Sequence, residues 1–424
     1  MSSTVTPLHP VIVIGAGPVG LAAAAHLLEY GIEPLVLESG SSVGHHVRQW
    51  GHVRMFSPWE FNIDPAARRL LDSTGWQAPC EDELPTGNQL ARRYLEPLAA
   101  HPSLRNRLRL GHRVTAVARR DMDRRRDRDR DISPFLVRVA TPAGTVDQLA
   151  RGVIDASGSW QNPNPLGRNG LRVPGEKDAG EAISRGIPDV LGQERQRFAG
   201  GRVLVAGSGH SAFNALQDLT VLKGQEPETR ISWLIRRASL DAVFRGGQND
   251  PLSRRRELED RIRGMAGNRK FELIAGNPVE AIESGSDGIR TRMHRGGERV
   301  FDTVIASTGF RPDHDMHSEL RLALDPALEC PVPLAPLIDP NRHDCGSVPA
   351  HGVEELAHPE TGFFLAGMKS YGRAPNFLLR TGYEQVRSIA AELSGDPAAA
   401  RSVQITVPNG RQPCGSGQPT AGTG

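Results

Sequence analysis

The sequence predicts an α/β fold in which one strand–glycine-turn–helix unit is inserted within another. Three observations predict it. The β-branched run Val11–Ile14 breaks into Gly15-Ala16-Gly17-Pro18-Val19-Gly20 and continues directly into the helix formers of Leu21–Glu29. The same device returns near the middle of the chain, where Val203–Ala206 runs into Gly207-Ser208-Gly209-His210-Ser211-Ala212 and the helical stretch Phe213–Leu222. Two apolar strands end in small residues and glycine, Asp155-Ala156-Ser157-Gly158 and Ala306-Ser307-Thr308-Gly309, where the chain crosses between the units.

The elements follow in order. Gly31 ends the first helix, and Pro34–Glu38 forms the second strand of the first unit. An irregular stretch, Gly44–Pro65, carries His45, His46, Arg48, Trp50, Phe56, Trp59 and Phe61. A loop this long and aromatic-rich is expected to pack on a ligand or a core. Helices are expected at Ala66–Leu71 and Asn88–Ala100, and strands at Arg113–Val117, Phe135–Val139 and Gly152–Ala156. Between two of these strands, Arg119–Asp131 holds seven Arg and five Asp. Its nearly cancelling charge reads as an exposed hairpin tip, with a nucleic-acid arm as the alternative.

In the second unit Ile231–Ile235 is a strand ending in Arg236-Arg237, followed by a polar helix at about 251–268. Strands are then expected near Phe271–Ile274, Gly288–Met293, Val304–Ala306 and Phe363–Gly367, and a last helix over Asn376–Leu393. The resulting division is a first unit from 1–165 and 301–400, a second from 166–300, and a flexible Gly/Pro-rich tail from 401.

Composition narrows the function classes. With 51 basic against 49 acidic residues the net charge is +2, which speaks against a dedicated nucleic-acid binder. No apolar run is long enough to span a membrane, and the N-terminus lacks a secretory pattern, so a cytoplasmic location is expected. The four cysteines, Cys80, Cys330, Cys345 and Cys414, have neither metal-site nor disulfide spacing. His45 and His46 are adjacent, so their side chains diverge, and no metal site is expected.

The glycine turns carry the chemistry. Gly15 allows the tight turn, Gly17 admits a pyrophosphate close to the backbone, and Gly20 lets helix pack on strand. Pro18 opens a helix whose N-terminal N–H groups and dipole favour phosphate. Glu38, at the end of the second strand, suits a ribose diol and repels a 2′-phosphate. The second turn repeats Gly207 and Gly209 with Ala212 in the packing position, but Arg236 and Arg237 stand where the first unit has Glu38. Guanidinium there favours NADPH over NADH, although one of the two can be a solvated loop residue. Two dinucleotide folds in one chain imply two bound nucleotides, most economically a tightly held flavin and an exchangeable nicotinamide.

On these turns and crossovers the chain resembles the two-dinucleotide-binding-domain flavoproteins, with an FAD-binding Rossmann-like domain and an inserted NAD(P)-binding one. The resemblance runs from Val11 to about Leu393. Gly51–Pro65 and Gly367-Met368-Lys369-Ser370-Tyr371-Gly372-Arg373-Ala374-Pro375 look more specifically like bacterial flavin-binding monooxygenases. It implies hydride transfer from NADPH to FAD, then O2 activation to oxygenate a small molecule, and dimers are common in such families. The chain departs from the group in three places: it has no Phe-x-Gly-x-x-x-His fingerprint before the second turn, Gly367-Met368 replaces the usual Gly-Asp, and no Cys-x-x-Cys is present.

Candidate chemical residues are positional. Arg48, Trp50, Phe56 and Ser57 lie where the resemblance puts the cover of the flavin ring; loop packing is the alternative. His210 and Ser211 open the second nucleotide helix and either touch NADPH or simply cap it. Gly367 sits near the flavin by resemblance. Asn376, Phe377 and Leu378 open the last helix, whose dipole would face the flavin; a plain amphipathic surface helix is the alternative. Competing functions are an NADPH-dependent flavin or dithiol reductase using scattered cysteines, with Cys414 as a swinging thiol, and a nucleotide-sensing protein without turnover.

Overall fold

The computed structural model describes residues 9–244, 252–342 and 348–404. Cys345, Cys414 and the Pro408–Gly424 stretch lie outside the described residues.

Two five-stranded parallel sheets organise the chain. The first has the order Phe363–Leu365, Gly152–Asp155, Val11–Ile14, Pro34–Leu37, Leu108–Arg109. Its central strands are apolar along their length because both faces are covered, and Val11–Ile14 is buried at every residue. Ile14 pairs with Leu37 on one side and Asp155 on the other, so three strand ends converge on the first glycine turn. The second sheet has the order Glu272–Ala275, Arg230–Ile235, Arg202–Ala206, Thr303–Ala306, Ile183–Arg185. Thr303–Ala306 therefore belongs to the second unit, which runs past the boundary expected at 300.

Each unit also carries a three-stranded antiparallel sheet: Arg113–Arg119, Phe135–Thr141 and Gly144–Ala150 in the first, Val279–Gly285, Gly288–Met293 and Glu298–Phe301 in the second. The strands Gly144–Ala150, Val279–Gly285 and Glu298–Phe301 were not expected from sequence. Gly144–Ala150 and Glu298–Phe301 are solvent-facing edges with little apolar content, so no hydrophobic pattern marks them.

The helix expected over 88–100 runs from Gly87 to Ala100 but contains a π turn at Ala91–Leu95. Pro97 has no N–H to give to the carbonyl of Arg93, and the indole N–H of Trp76 donates to that carbonyl at 2.9 Å. The last helix begins later than expected, at Leu379, and ends at Ser394.

Two expectations are corrected. The Arg119–Asp131 run is not wholly an exposed tip: Arg119 and Arg130 are 4% exposed, and both bond to buried Glu360, with Nε–Oε1 at 2.7 Å and Nη2–Oε2 at 2.6 Å. A buried carboxylate needs compensation, and these guanidinium groups supply it. The tail also does not begin at 401. Pro397–Arg401 is helical, Arg387 donates to the Ser402 carbonyl, and the Gln404 N–H donates to Glu384 at 3.2 Å. No helix among the described residues is long and apolar enough to cross a membrane.

One buried pair ties the first helix to the aromatic loop. Asp64 caps the helix Pro65–Asp72 through Ala67 N–H at 2.9 Å, and its other oxygen lies 2.9 Å from His26 Nε2. Burial opposes the imidazolium, but the charge and hydrogen bond of Asp64, with Glu29 nearby, raise the His26 pKa to about 9. A raised folded-state pKa gives stability that is complete below the unfolded value of 6.5 and is lost as pH rises through about 9. Urea unfolding should therefore show a loss of order 2 kcal/mol between about pH 7 and 10. The loss should be absent in His26→Gln; parallel curves for the two proteins would remove the pair from the account.

Candidate functional site

The first turn is shaped by backbone contact. Gly15 has φ 99°, and a Cβ there would lie 2.9 Å from the Ala156 carbonyl oxygen. A Cβ on Gly20 would come within 1.9 Å of the Gly15 oxygen, whereas Gly17 has nothing within 4 Å and faces open space. The helix Pro18–Glu29 starts with Gly17 as its N-cap and no side-chain cap. Its first helical bond is Leu21 N–H to Gly17 oxygen at 3.0 Å, so the Val19 and Gly20 N–H groups have no helical partner. An open glycine beside free N–H groups at a positive helix end is a cradle for an anion.

Glu38 is nearly buried, at 5% exposed, and is bound to this turn. Its two oxygens accept from Ala16 N–H and Gly40 N–H, each at 2.7 Å. Carboxylate oxygens keep further lone pairs, so a diol can still be received, but the side chain also braces the turn itself.

The second turn repeats the geometry. Gly207 has φ 141°, and a Cβ there would lie 2.1 Å from the Ser307 oxygen; Gly209 faces open space and caps the helix His210–Gln225. Phe213 N–H to Gly209 oxygen, at 3.1 Å, is the first helical bond, leaving His210, Ser211 and Ala212 N–H groups without helical partners. Ala212 is fully buried, as its packing position requires. Arg236 and Arg237 end the second strand and are both exposed.

His210 is held from three sides. Its Nε2 lies 3.1 Å from Glu259 Oε1, and its ring meets Phe213 and Phe56 edge-on at 5.7 and 5.2 Å between centroids. Phe56 comes from the long loop of the first unit, so that loop reaches the second turn. The Arg255 guanidinium lies over the Phe56 ring, 5.7 Å from its centroid.

The two crossovers lie against each other. Asn164 N–H donates to the Gly309 carbonyl at 2.9 Å, Arg311 N–H to the Asn162 carbonyl at 3.0 Å, and Trp160 stacks on Phe310 with centroids 4.5 Å apart. Sequence reasoning found the glycines of these segments and missed the aromatic stack, whose partners stand 150 residues apart.

The other candidates divide. Arg48 is spent on Glu96, at 2.5 Å, and on the Val43 carbonyl, at 3.2 Å. Trp50 packs against Gly87, where a Cβ would meet its ring at 2.9 Å. The Ser57 hydroxyl donates to Asn62 Oδ1 at 2.8 Å, and Asn62 returns two bonds to the loop backbone. These three serve loop packing here. Gly367 and Phe377 come together at the first helix: a Cβ on Gly367 would lie 3.2 Å from Val19, and one on Gly382 would lie 2.8 Å from both Val19 and Phe377. Asn376 is 7% exposed, and its Oδ1 is buried without a hydrogen-bond partner. An unsatisfied buried acceptor just before the closing helix, next in sequence to Phe377, is open to a donor from a bound molecule.

A buried charged cluster was missed altogether. Asp155 Oδ2 lies 2.7 Å from Lys369 Nζ and 2.9 Å from His317 Nε2, with all three side chains at most 1% exposed. Burial works against the Asp155 carboxylate, but Lys369 and His317 hold its pKa well below the usual range. The sequence signal was a lone Asp inside an apolar strand.

The steric contrast among the glycines is testable by denaturant unfolding. Gly20→Ala and Gly207→Ala should each cost about 2–4 kcal/mol, because backbone must move to admit the methyl group. Gly17→Ala and Gly209→Ala should stay within about 1 kcal/mol of wild type. Equal losses at all four positions would refute this account of the turns.

With the geometry set, comparisons add family and fold. A model of the pyridine nucleotide-disulphide oxidoreductase family matches residues 12–329. No curated protein matches the sequence. Among solved structures, the bacillithiol disulfide reductase Bdr (YpdA) from Bacillus cereus is similar over 91% of this chain and 99% of its own, with TM-score 0.68 and 21% identity. The FAD-bound cadaverine monooxygenase DfoA from Erwinia amylovora is similar over 97% and 100%, with TM-score 0.66 and 14% identity. The ornithine N-hydroxylase KtzI from Kutzneria sp. 744, solved with reduced FAD, NADP+ and L-ornithine, matches over 93% and 99%, with TM-score 0.58 and 15% identity. At these identities the likeness speaks for the two-dinucleotide-binding fold.

Proposed function

This chain belongs to the pyridine nucleotide-disulphide oxidoreductase family, and on that premise we propose that it is an NADPH-dependent FAD monooxygenase of a small molecule. The observation that carries the cofactor part is the pair of open glycine turns with opposite side chains beside them, Glu38 at one and Arg236-Arg237 at the other.

The residues fit both groups. Gly15, Gly17, Pro18 and Gly20 offer the FAD pyrophosphate a close backbone and a positive helix end, and Glu38 takes the adenosine ribose. Gly367, Asn376 and Phe377 lie at the same end of the first helix, where the free Asn376 oxygen accepts from the flavin. Gly207, Gly209, His210, Ser211 and Ala212 receive the NADPH pyrophosphate, and the exposed guanidinium groups of Arg236 and Arg237 pair with the 2′-phosphate. Once bound, FAD supplies hydride acceptance from NADPH and oxygen activation towards hydroxylation or heteroatom oxidation. The chain's own work is to orient the nucleotides and exclude water, which fits the lack of a separate acid–base constellation among the candidates. Phe56 carries the first-unit loop onto His210 at the second turn and would help to exclude water there.

The runner-up is a reductase. Disulfide chemistry needs a reactive thiolate. Of the described cysteines, Cys330 is fully buried, and burial pushes its thiol up to about 12, while Cys80 lies exposed and unpaired. Burial makes Cys330 unfit for that task. Replacing all four cysteines, Cys80→Ser, Cys330→Ala, Cys345→Ser and Cys414→Ser, should retain NADPH oxidation within about twofold; abolished turnover would move the assignment to dithiol chemistry.

The deciding experiment is rapid mixing. Protein carrying FAD is reduced with NADPH without oxygen and then mixed with aerated buffer. A transient absorbance band distinct from both reduced and oxidised flavin supports oxygen activation, direct return to oxidised flavin favours the reductase, and a protein that takes up no flavin refutes both. Nucleotide choice has its own test. Arg236→Ala with Arg237→Ala should lower the NADPH-over-NADH preference in kcat/KM by about 10–100-fold, as expected from losing charge-assisted bonds. An unchanged ratio would show that the 2′-phosphate is read elsewhere.

A further inference from the structure

We infer that Lys369 and Asp155 are positioning residues that set the shape of the first glycine turn for a dinucleotide pyrophosphate; this rests on the FAD reading of that turn. The argument begins with Ser157. Its backbone N–H donates to Asp155 Oδ1 at 2.9 Å, and its hydroxyl accepts from Lys369 Nζ at 3.2 Å. Lys369 Nζ is in turn 2.7 Å from Asp155 Oδ2, so the pair grips one residue at two points and closes on itself. That residue is pressed against the turn: a Cβ on Gly15 would lie 3.0 Å from Ser157 Cα and 2.9 Å from the Ala156 oxygen. A shift of Ser157 towards Gly15 must therefore displace the turn.

Lys369 reaches this place from the turn Gly367–Tyr371, whose Gly367 packs on Val19 in the first turn of the helix. The pair thus joins three pieces of backbone around the pyrophosphate cradle: the end of the strand Gly152–Asp155, the glycine turn, and the segment before the closing helix. His317, with Nε2 at 2.9 Å from Asp155 and its ring edge-on to Phe363 at 4.9 Å, is the third buried member of the cluster. A buried ion pair is a poor source of stability, because desolvation offsets most of its attraction and apolar residues of like volume serve equally well. What it provides here is direction: donors and acceptors that fix Ser157 in one orientation.

The test uses the full chain. Lys369→Met alone strands a buried carboxylate and can unfold the protein, so the neutral double variant Asp155→Asn/Lys369→Met is compared with wild type. Ser157→Ala serves as a milder probe that leaves the ion pair intact. Three quantities are read: apoprotein Tm, the Kd for FAD from flavin fluorescence, and the Kd for NADP+ at the second turn. The inference expects FAD binding weakened about 10-fold or more in the double variant and about 3–10-fold in Ser157→Ala, with NADP+ affinity within twofold of wild type. Equal loss at both sites, or wild-type FAD affinity in Ser157→Ala and in a folded double variant, overturns it. Wild-type protein that takes up no FAD overturns the reading of the turn as well, and so separates the two failures.

Discussion

Backbone packed on backbone at the ends of parallel strands is the constraint from which the rest of this structure follows. At Gly15 and Gly207 the chain leaves a central strand in a left-handed conformation and passes directly beneath the neighbouring crossover, Ala156–Ser157 in one unit and Ser307 in the other. No side chain fits in either gap. Because the approach is so close, each helix starts at the C-terminal end of a central strand with its first N–H groups without helical partners. The sheets, the crossovers and the anion cradles are therefore one arrangement made twice.

The same constraint explains which parts were legible in the sequence. A turn that excludes Cβ atoms must be written in glycine, and a strand buried on both faces must be written in Val and Ile, so Val11–Gly20 and Val203–Ala212 carried their structure openly. Edge strands such as Glu298–Phe301 face water and carry no such signature. Nor do contacts between residues far apart in the chain, and the buried polar groups are of this kind: Asp155 meets Lys369 beside the first turn, and Glu360 meets Arg119 and Arg130 elsewhere in the unit. Position along the chain suggested Arg48, Trp50 and Ser57 as chemical residues. Their hydrogen-bonding and packing capacity goes to Glu96, Gly87 and Asn62, the loop-packing alternative, and two of these three partners lie outside the loop where no local pattern points to them.

The two units differ in what surrounds their turns. Around the first, buried polar groups are held by protein partners, Glu38 on Ala16 and Gly40 and Asp155 on Ser157 and Lys369, and Asn376 Oδ1 is left without one. Around the second, the core is aromatic, with Phe213, Trp233, Phe244 and Phe271 packed together, and the charged groups at the strand end are exposed. Polar groups locked in place lose no freedom when a ligand arrives, whereas exposed arginines must be ordered each time.

On the proposed reading this difference has a functional logic. A cofactor that stays bound through many cycles gains from a preorganised cradle, since the cost of arranging its partners was met when the chain folded. A nucleotide that must leave after giving up its hydride gains from partners that release readily, because exposed charge pairs in water hold weakly and exchange fast. On the second side His210 is held between Phe56, Phe213 and Glu259 at the start of the helix. Its clamp includes a residue of the first unit. An incoming nicotinamide nucleotide at the second turn would therefore meet a surface to which both units contribute.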